Sequence, residues 1–201
     1  MIATDRPATG LMHQIDRIIP AALRAVPRDW LAARHLAVLA ALTGGCAPLL
    51  AILYHVLGFN AAGLVVFTGA CVMMVAPFTL NAGFSLASAR NLFITALYAL
   101  KVWLALHLGG IGAPTVSWFI LCPMIALLLG GMRAGLAWGG IVLATLFGLY
   151  IAEQGGVEMV SFPVSSPVLL DLASNIGLVV LASVIVVLAS SGDARAERRA
   201  K

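Results

Sequence analysis

The sequence predicts an all-α membrane protein: a bundle of six transmembrane helices with an interfacial amphipathic helix before it and both termini in the cytoplasm. Three observations predict this fold class. The 201 residues are 62% hydrophobic and 10% charged, whereas soluble domains are about half apolar and about a quarter charged. Six apolar runs are each long enough to be considered as spans of a bilayer. Nearly all basic residues lie on one side of these runs.

The first element is a cytoplasmic segment, residues 1–34, that contains the amphipathic helix. Apolar side chains in "LMHQIDRIIPAALRAVPRDW" recur every three or four residues, and arginines occupy the opposite face. This pattern is typical of a helix that lies in the membrane interface. It leaves open whether the helix only anchors the bundle or also transmits a signal. We expect no cleavable signal peptide, because no short basic segment precedes the first apolar run.

The six apolar runs form the expected transmembrane domain, residues 35–190. A helix needs about 20 apolar residues to cross the hydrocarbon of a bilayer. The fourth run is short and contains Pro123, so we expect it to kink or to lie at a shallow depth. The runs are His35–Gly58, Ala61–Leu80, Leu92–Gly110, Thr115–Gly130, Gly135–Ala152 and Val168–Ser190.

Two groups of small residues in these runs are interpreted as packing devices. Gly131, Gly135 and Gly139 recur at four-residue spacing and leave a flat stripe against which a helix can pack closely. The three cysteines lie inside apolar runs without the spacing of a metal site or a disulfide framework. The sequence therefore predicts no metal site and no cofactor. The cysteines are Cys46, Cys71 and Cys122.

The basic residues predict the orientation of the bundle. All lysines and arginines except Lys101 lie before the first run, in the second and fourth connectors, or after the sixth run. The connectors on the opposite side carry Glu153 and Glu158 instead. Because cytoplasmic loops are rich in Lys and Arg, both termini are expected in the cytoplasm. The net charge of +4 is then a signal of topology, and nucleic acid is not an expected partner.

The last element is the tail "SGDARAERRAK", residues 191–201. Alanine, arginine, glutamate and lysine are strong helix formers, so we expect the sixth run to continue as the start of a charged cytoplasmic stalk. No capping residue or turn closes this helix. The tail therefore favours a chain that is the membrane part of a longer protein.

Three stretches resemble the six-helix sensor region of bacterial membrane histidine kinases. They are "IDRIIPAALRAVPRDWLAARHLAVLAAL", "GGIGAPTVSWFILCPMIALLLGGMRAGLAWGGIVLATLFGLYIAE" and the last run leading into "ARAERRAK". Quorum-sensing hybrid kinases carry relatives of this region, and some membrane adenylyl cyclases have comparable six-helix regions. The resemblance implies a sensor in the bacterial inner membrane that dimerises through its last helix and stalk. The sequence contains no glycine-rich nucleotide loop and no candidate phosphoacceptor histidine, so this chain is not itself expected to be an enzyme.

Lys101 is the central candidate for function, because it lies in the middle of the third run. An uncompensated charge there costs about 2.5–3.5 kcal/mol on insertion scales, so it should face the bundle interior or a wet cavity. Asp171, Ser174 and Asn175 share one face of the sixth run. Asp171 is the expected counter-ion, and Glu153 is the second choice. The pair could fix the register of two helices or line a ligand cavity, and the sequence leaves both open.

Other polar and aromatic residues collect at the same outer level of the bundle. Each could contact a ligand, or could anchor the bundle at the interface. His107 lies six residues after Lys101, so the third run alone cannot place both in one pocket. These additional candidates are His55, Trp103, His107 and Trp118.

The leading hypothesis is a sensor that binds a small amphipathic or apolar ligand near the outer leaflet and relays binding through helix six to an output domain. Its expected partners are the bilayer, the ligand and a second copy of the chain. The alternative is the substrate-binding membrane subunit of a vitamin-type transporter. Ala37-x-x-x-Ala41 and Ala47-x-x-x-Ala51 resemble the small-residue face that such subunits present to their partner. A channel is disfavoured, because rings of charge are missing.

The predicted orientation determines which single cysteines react in intact cells. A cysteine that replaces Gly155 or Gly156 should react with a membrane-impermeant maleimide added from outside. A cysteine that replaces Ala196 should react only after lysis. The unsubstituted chain is the control, because its own cysteines lie in apolar runs. Labelling at Ala196 in intact cells would overturn the orientation.

Overall fold

Six α-helices follow one another in the described part of the chain, with no strand between them. The computed structural model describes residues 19–20, 23, 25–159 and 161–200, with side chains through residue 190. Short 3-10 helices lie at Leu80–Ala82, Gly110–Gly112 and Val116–Ile120. The α-helices are α1 (Pro27–Val56), α2 (Asn60–Thr79), α3 (Leu86–His107), α4 (Leu121–Gly130), α5 (Met132–Gln154) and α6 (Pro167–Ala200).

Five of these helices are long and apolar enough to cross a membrane. They are α1, α2 with its 3-10 extension, α3, α5 and the part of α6 up to Ser190. Six spans are not confirmed, because the fourth apolar run is helical only over Val116–Gly130. Its first third is 3-10 helix, which rises about 2.0 Å per residue instead of 1.5 Å. The segment therefore reaches about 25 Å, close to the thickness of the hydrocarbon.

The first helix begins earlier than the first apolar run. α1 starts at Pro27, eight residues before His35. Proline suits the first helical position, because a backbone N–H there would have no partner within the helix and its absence costs nothing. Arg34 lies over the ring of Trp30, 5.3 Å from its centroid. Of the predicted amphipathic segment, residues 11–30, residues 11–18, 21, 22 and 24 lie outside the described residues, and residues 27–30 belong to α1. Its interfacial position stays a prediction.

One end of the bundle collects arginines, and we call it the arginine end. The guanidinium group of Arg90, near the start of α3, lies against Gly130, and that of Arg28, at the start of α1, lies against Gly131. Arg133 is the second residue of α5. Arg28, Arg90 and Arg133, which are far apart in the sequence, therefore lie at one end of the bundle, and the orientation of that end stays a prediction.

α1 and α2 form the most closely packed pair of helices. A Cβ atom built on Gly63 of α2 would lie 2.8 Å from the carbonyl oxygen of Ala51 in α1. Their turn is short, and the Phe59 N–H donates to the Tyr54 carbonyl at 2.9 Å. Next to them, α3 is the central helix. In its most apolar stretch 44% of the residues are buried, whereas the corresponding values are 17% for α5 and 11% for α6.

α4 and α5 form a second hairpin that turns at Gly131. Gly131 has φ +78°, a left-handed conformation that glycine adopts without strain. Two glycines of the predicted stripe lie against α4, since a Cβ on Gly135 would lie 3.1 Å from Leu127 and one on Gly139 would lie 3.9 Å from Pro123. The third, Gly131, is the turn residue and not part of this packing surface. The hydroxyl groups of Tyr98 and Thr145 are hydrogen-bonded at 2.5 Å and join α3 to α5.

The long connector between α5 and α6 folds over the other end of the bundle, which we call the aromatic end. Phe162 of this connector stacks on Phe59, with ring centroids 4.6 Å apart. The Phe162 N–H donates to the His107 carbonyl at 3.2 Å, and the Ser165 N–H donates to the Leu57 carbonyl at 3.1 Å. These contacts fix the start of α6 relative to α1 and α3.

α6 lies at the edge of the bundle and packs mainly on α4. Its backbone stays helical from Pro167 through Ala200 without a break. The predicted continuation of the sixth run past Ser190 is therefore found in the backbone, whereas its role as a stalk stays a prediction.

The close contact at Gly63 predicts a position-specific cost of adding one methyl group. Gly63→Ala should destabilise the bundle by about 1–3 kcal/mol, because the Cβ would press on backbone that cannot move aside. Gly148→Ala in α5 is the matched control, since a Cβ there meets nothing within 4 Å, and it should leave stability unchanged or raise it. Thermal unfolding in detergent measures both variants. Equal effects of the two would contradict the packing described for α1 and α2.

Candidate functional site

A cavity of about 440 Å³ lies between α1, α2, α3, the fourth segment and α6. This volume lies within the range of small-molecule sites, about 300–1,000 Å³. Its walls are almost entirely aliphatic and aromatic. The residues with polar atoms that line it are Thr43, Tyr54, Lys101, Thr115, Trp118 and Ser174.

Among the described residues that line this cavity, Lys101 is the one with a charged side chain. Its side chain is only 6% exposed, so the ammonium group is largely removed from solvent or lipid. Nζ lies over the ring of Trp118, 4.0 Å from its centroid. The negative face of an indole ring attracts a cation, by about 2 kcal/mol or more where the pair is desolvated. The ring of Trp118 therefore occupies the place in which a counter-ion was expected.

Trp118 is itself held by α6. Its Nε1–H donates to the Ser174 hydroxyl at 2.8 Å, and that hydroxyl donates to the Pro114 carbonyl at 3.1 Å. One helical turn further on, a Cβ atom on Gly177 would lie 2.9 Å from the indole ring, so the ring fits only because residue 177 is glycine. The contacts thus run from Lys101 on α3, through Trp118, to α6.

Thr115 adds an unsatisfied polar group to the same wall. The residue lines the cavity and is 3% exposed. Among the side chains that the structure describes, its Oγ1 is the one buried polar atom without a hydrogen-bond partner. A buried hydroxyl without a partner costs about 1–3 kcal/mol. Within the described residues, the Thr115 hydroxyl therefore has no hydrogen-bond partner and the Lys101 ammonium group has no anion as its partner.

The expected pairing of Lys101 with Asp171 is wrong. Asp171 and Asn175 are exposed and do not line the cavity, whereas Ser174 between them is buried and does. Within the described residues no carboxylate makes an ion pair with Lys101, Glu153 included. α6 is rotated so that the hydroxyl, and not the carboxylate, of the predicted polar face points into the bundle.

The other candidates lie outside the cavity. His55 is exposed on α1, and Glu153 is exposed beside Gly110. Trp103 and His107 stack on each other with centroids 4.0 Å apart, and His107 Nδ1 is hydrogen-bonded to the Trp103 carbonyl at 2.8 Å. These two rings pack with Phe59 and Phe162 at the aromatic end. Lys101 and His107 are thus in separate clusters, as their six-residue spacing predicted.

Three polar lining residues, Thr43, Tyr54 and Thr115, are not among the candidates that the sequence predicts. In the sequence Thr115 is only the first residue of the fourth apolar run, and Thr43 and Tyr54 lie inside the first run. A signal for Thr115 was available, because residues three apart share a face on a 3-10 helix, and Thr115 is three residues before Trp118. Nothing in the sequence singles out Tyr54.

The arrangement is suited to binding a ligand, because one cation, the unpartnered Thr115 hydroxyl and an apolar wall can hold and orient it. Within the described residues no cluster of His, Cys, Asp or Glu could hold a metal ion. Comparison of the chain with protein-family models, curated proteins and solved structures gave no match.

The geometry predicts that Lys101 is coupled energetically to Trp118 and not to Asp171. A double-mutant cycle with Lys101→Met and Trp118→Leu should give a coupling free energy of about 0.5–2 kcal/mol in unfolding experiments. The matched cycle with Lys101→Met and Asp171→Asn should be additive within about 0.3–0.5 kcal/mol. A larger coupling to Asp171 than to Trp118 would restore the ion pair and refute the described geometry.

Proposed function

We infer that the chain is the sensor module of a membrane signalling protein, in which a small ligand in the cavity changes the position of α6. The observation that carries this proposal is the double role of α6. It forms one wall of the cavity through residues such as Leu170, Ala173 and Gly177, and the same helix continues unbroken to Ala200. A ligand that fills the cavity contacts α6 directly.

The packing of α6 supports a movement of this helix. A two-state shift needs an element that can change position at modest cost in free energy. Only 11% of the residues in the most apolar stretch of α6 are buried. Few contacts with the bundle are therefore lost when α6 shifts. Trp118 provides the link, because it contacts Lys101 on one side and Ser174 and Gly177 of α6 on the other. A ligand that draws the ammonium from the ring alters the support of α6.

The finer features of the proposal follow from the sequence. We propose six crossings, with the fourth segment as the shortest, and both termini in the cytoplasm of a bacterial inner membrane. The arginine end would then face the cytoplasm, and the cavity would lie nearer the outer leaflet. The output would be a histidine kinase that dimerises through α6 and the stalk.

The transport-subunit alternative has weaker support. It depends on a small-residue face that is free to meet a partner subunit. Ala37 and Ala47 are buried within the bundle, at 5% and 3% exposure, and Ala51 packs against Gly63 of α2, whereas Ala41 is exposed. Three of the four alanines thus make contacts inside the chain, and a single exposed alanine is a small surface for a partner subunit.

Disulfide trapping tests the proposed dimer. With the native cysteines replaced by alanine, Ser191→Cys or Ala194→Cys should form a covalent homodimer in membranes on mild oxidation, because the stalks of a dimer run side by side. Leu136→Cys is the matched control: it lies on α5 near the arginine end and is exposed to lipid, and it should stay monomeric. A chain that stays monomeric at every α6 position and transports a solute into vesicles would contradict the sensor proposal.

A further inference from the structure

We propose that the cavity binds a single-chain amphiphile with one negative charge, whose headgroup contacts Lys101 and whose apolar chain extends towards Phe93. This inference rests on the proposed function for its site. It adds the chemical class of the ligand, which neither the fold nor the composition specifies.

The headgroup follows from the unsatisfied polar groups. An ammonium group has three N–H donors, and the ring of Trp118 covers one side of it at 4.0 Å. No carboxylate forms an ion pair with it among the described residues, and the Thr115 hydroxyl nearby in the cavity wall has no partner either. An anion that enters the cavity would accept hydrogen bonds from the ammonium group, and charge-assisted bonds of this kind are the strong ones.

The charge of the headgroup is limited to one. Lys101 is the one cation among the described residues that line the cavity. A second negative charge on the ligand would be left in an apolar environment without a partner, where burial of a charge is very costly. A carboxylate matches the site, whereas a phosphate monoester with two charges does not.

The chain follows from the shape of the cavity. Along α3 the lining residues extend from Leu104 to Phe93, about 16.5 Å at 1.5 Å per residue, and the part from Lys101 to Phe93 spans about 12 Å. Below Lys101 this wall is formed by Leu100, Leu97 and Phe93, and the facing wall of α6 by Val180 and Leu181. This depth and a volume of about 440 Å³ suit one apolar chain and not the two chains of a phospholipid.

The route into the cavity points to the bilayer. Leu49 of α1 and Ile176 and Val180 of α6 line the cavity and are also exposed on the outside of the bundle. The cavity therefore opens sideways between α1 and α6, at a depth where lipid chains surround the protein. An amphiphile that has partitioned into the membrane can enter along this opening without crossing water.

Binding of three probes with the same tail tests the headgroup. The full chain is placed in phosphatidylcholine nanodiscs, and saturable binding of dodecanoate, dodecanol and dodecyltrimethylammonium is measured above lipid partitioning. Dodecanoate should bind at least about tenfold more tightly than dodecanol, because only the anion adds the attraction of opposite charges to its hydrogen bond with the ammonium group. Dodecyltrimethylammonium should not bind saturably. Equal affinities for the anion and the alcohol would overturn the proposal.

Variants test which residues hold the headgroup. Lys101→Met keeps the apolar stem and should weaken dodecanoate binding at least about tenfold while leaving dodecanol within about twofold. Thr115→Val has nearly the same shape and should weaken dodecanoate by about threefold to tenfold. Asp171→Asn is the control and should bind like the unsubstituted chain. Loss of both ligands to the same degree in a folded Lys101→Met protein would refute the role of the ammonium group.

A cavity-filling variant keeps the test decisive if Lys101→Met does not fold. Ala173→Phe leaves Lys101 in place and should abolish binding of dodecanoate and dodecanol alike, because the new ring occupies the space for the tail. Unchanged dodecanoate binding in this variant would place the ligand elsewhere and overturn the proposal.

A further arm separates a free amphiphile from a membrane lipid. Phosphatidylglycerol added to the nanodiscs should not displace dodecanoate, since its two chains exceed the cavity. Competition would overturn the single-chain part of the proposal. All these measurements use the chain without any output domain. If no dimer forms but dodecanoate binds, the sensor function is refuted and the ligand class stands. If the dimer forms but dodecanoate does not bind, the ligand class is refuted and the sensor function stands.

Discussion

A buried ammonium group in an apolar bundle is the constraint around which this structure is arranged. The charge of Lys101 needs an electrostatic partner, because an apolar surrounding provides none. The face of Trp118 is that partner, and the ring is in turn held by the Ser174 hydroxyl and by the space left at Gly177. Three elements that are distant in sequence are therefore brought together around one charge.

The irregular fourth segment can be understood from the same constraint. Val116–Ile120 is 3-10 helix, which gains height with fewer residues than an α-helix and carries Trp118 into the level of Lys101. The segment still reaches from the aromatic end to the arginine end, where Gly130 meets Arg90. The 3-10 geometry allows this segment to cover its length with fewer residues, and it also places the indole ring of Trp118 against the Lys101 ammonium group.

Features that depend on periodicity and composition could be predicted from the sequence. The rotation of a helix about its own axis, which decides the residues that face the bundle, could not. Apolar run lengths predicted the helices, and four-residue spacing predicted the glycine surface that α4 uses. Spacing also placed Asp171, Ser174 and Asn175 on neighbouring positions, but which of them faces inward depends on how α6 packs against Trp118. On charge alone, a carboxylate is the better partner for Lys101. The structure uses an aromatic ring, and a contact across 17 residues between α3 and the next segment carries no periodic signal.

The most direct test of the account is the distance between the ligand headgroup and Lys101. The sequence contains two lysines, Lys101 and Lys201, so lysine labelled with ¹⁵N at Nζ gives two signals, and Lys101→Met identifies the one from the cavity. Solid-state NMR with dodecanoate labelled with ¹³C at its carboxyl carbon should show dipolar dephasing of the Lys101 signal that corresponds to hydrogen-bond contact, with the Lys201 signal unaffected. Saturable binding without dephasing at Lys101 would contradict the claim that this buried charge holds the ligand.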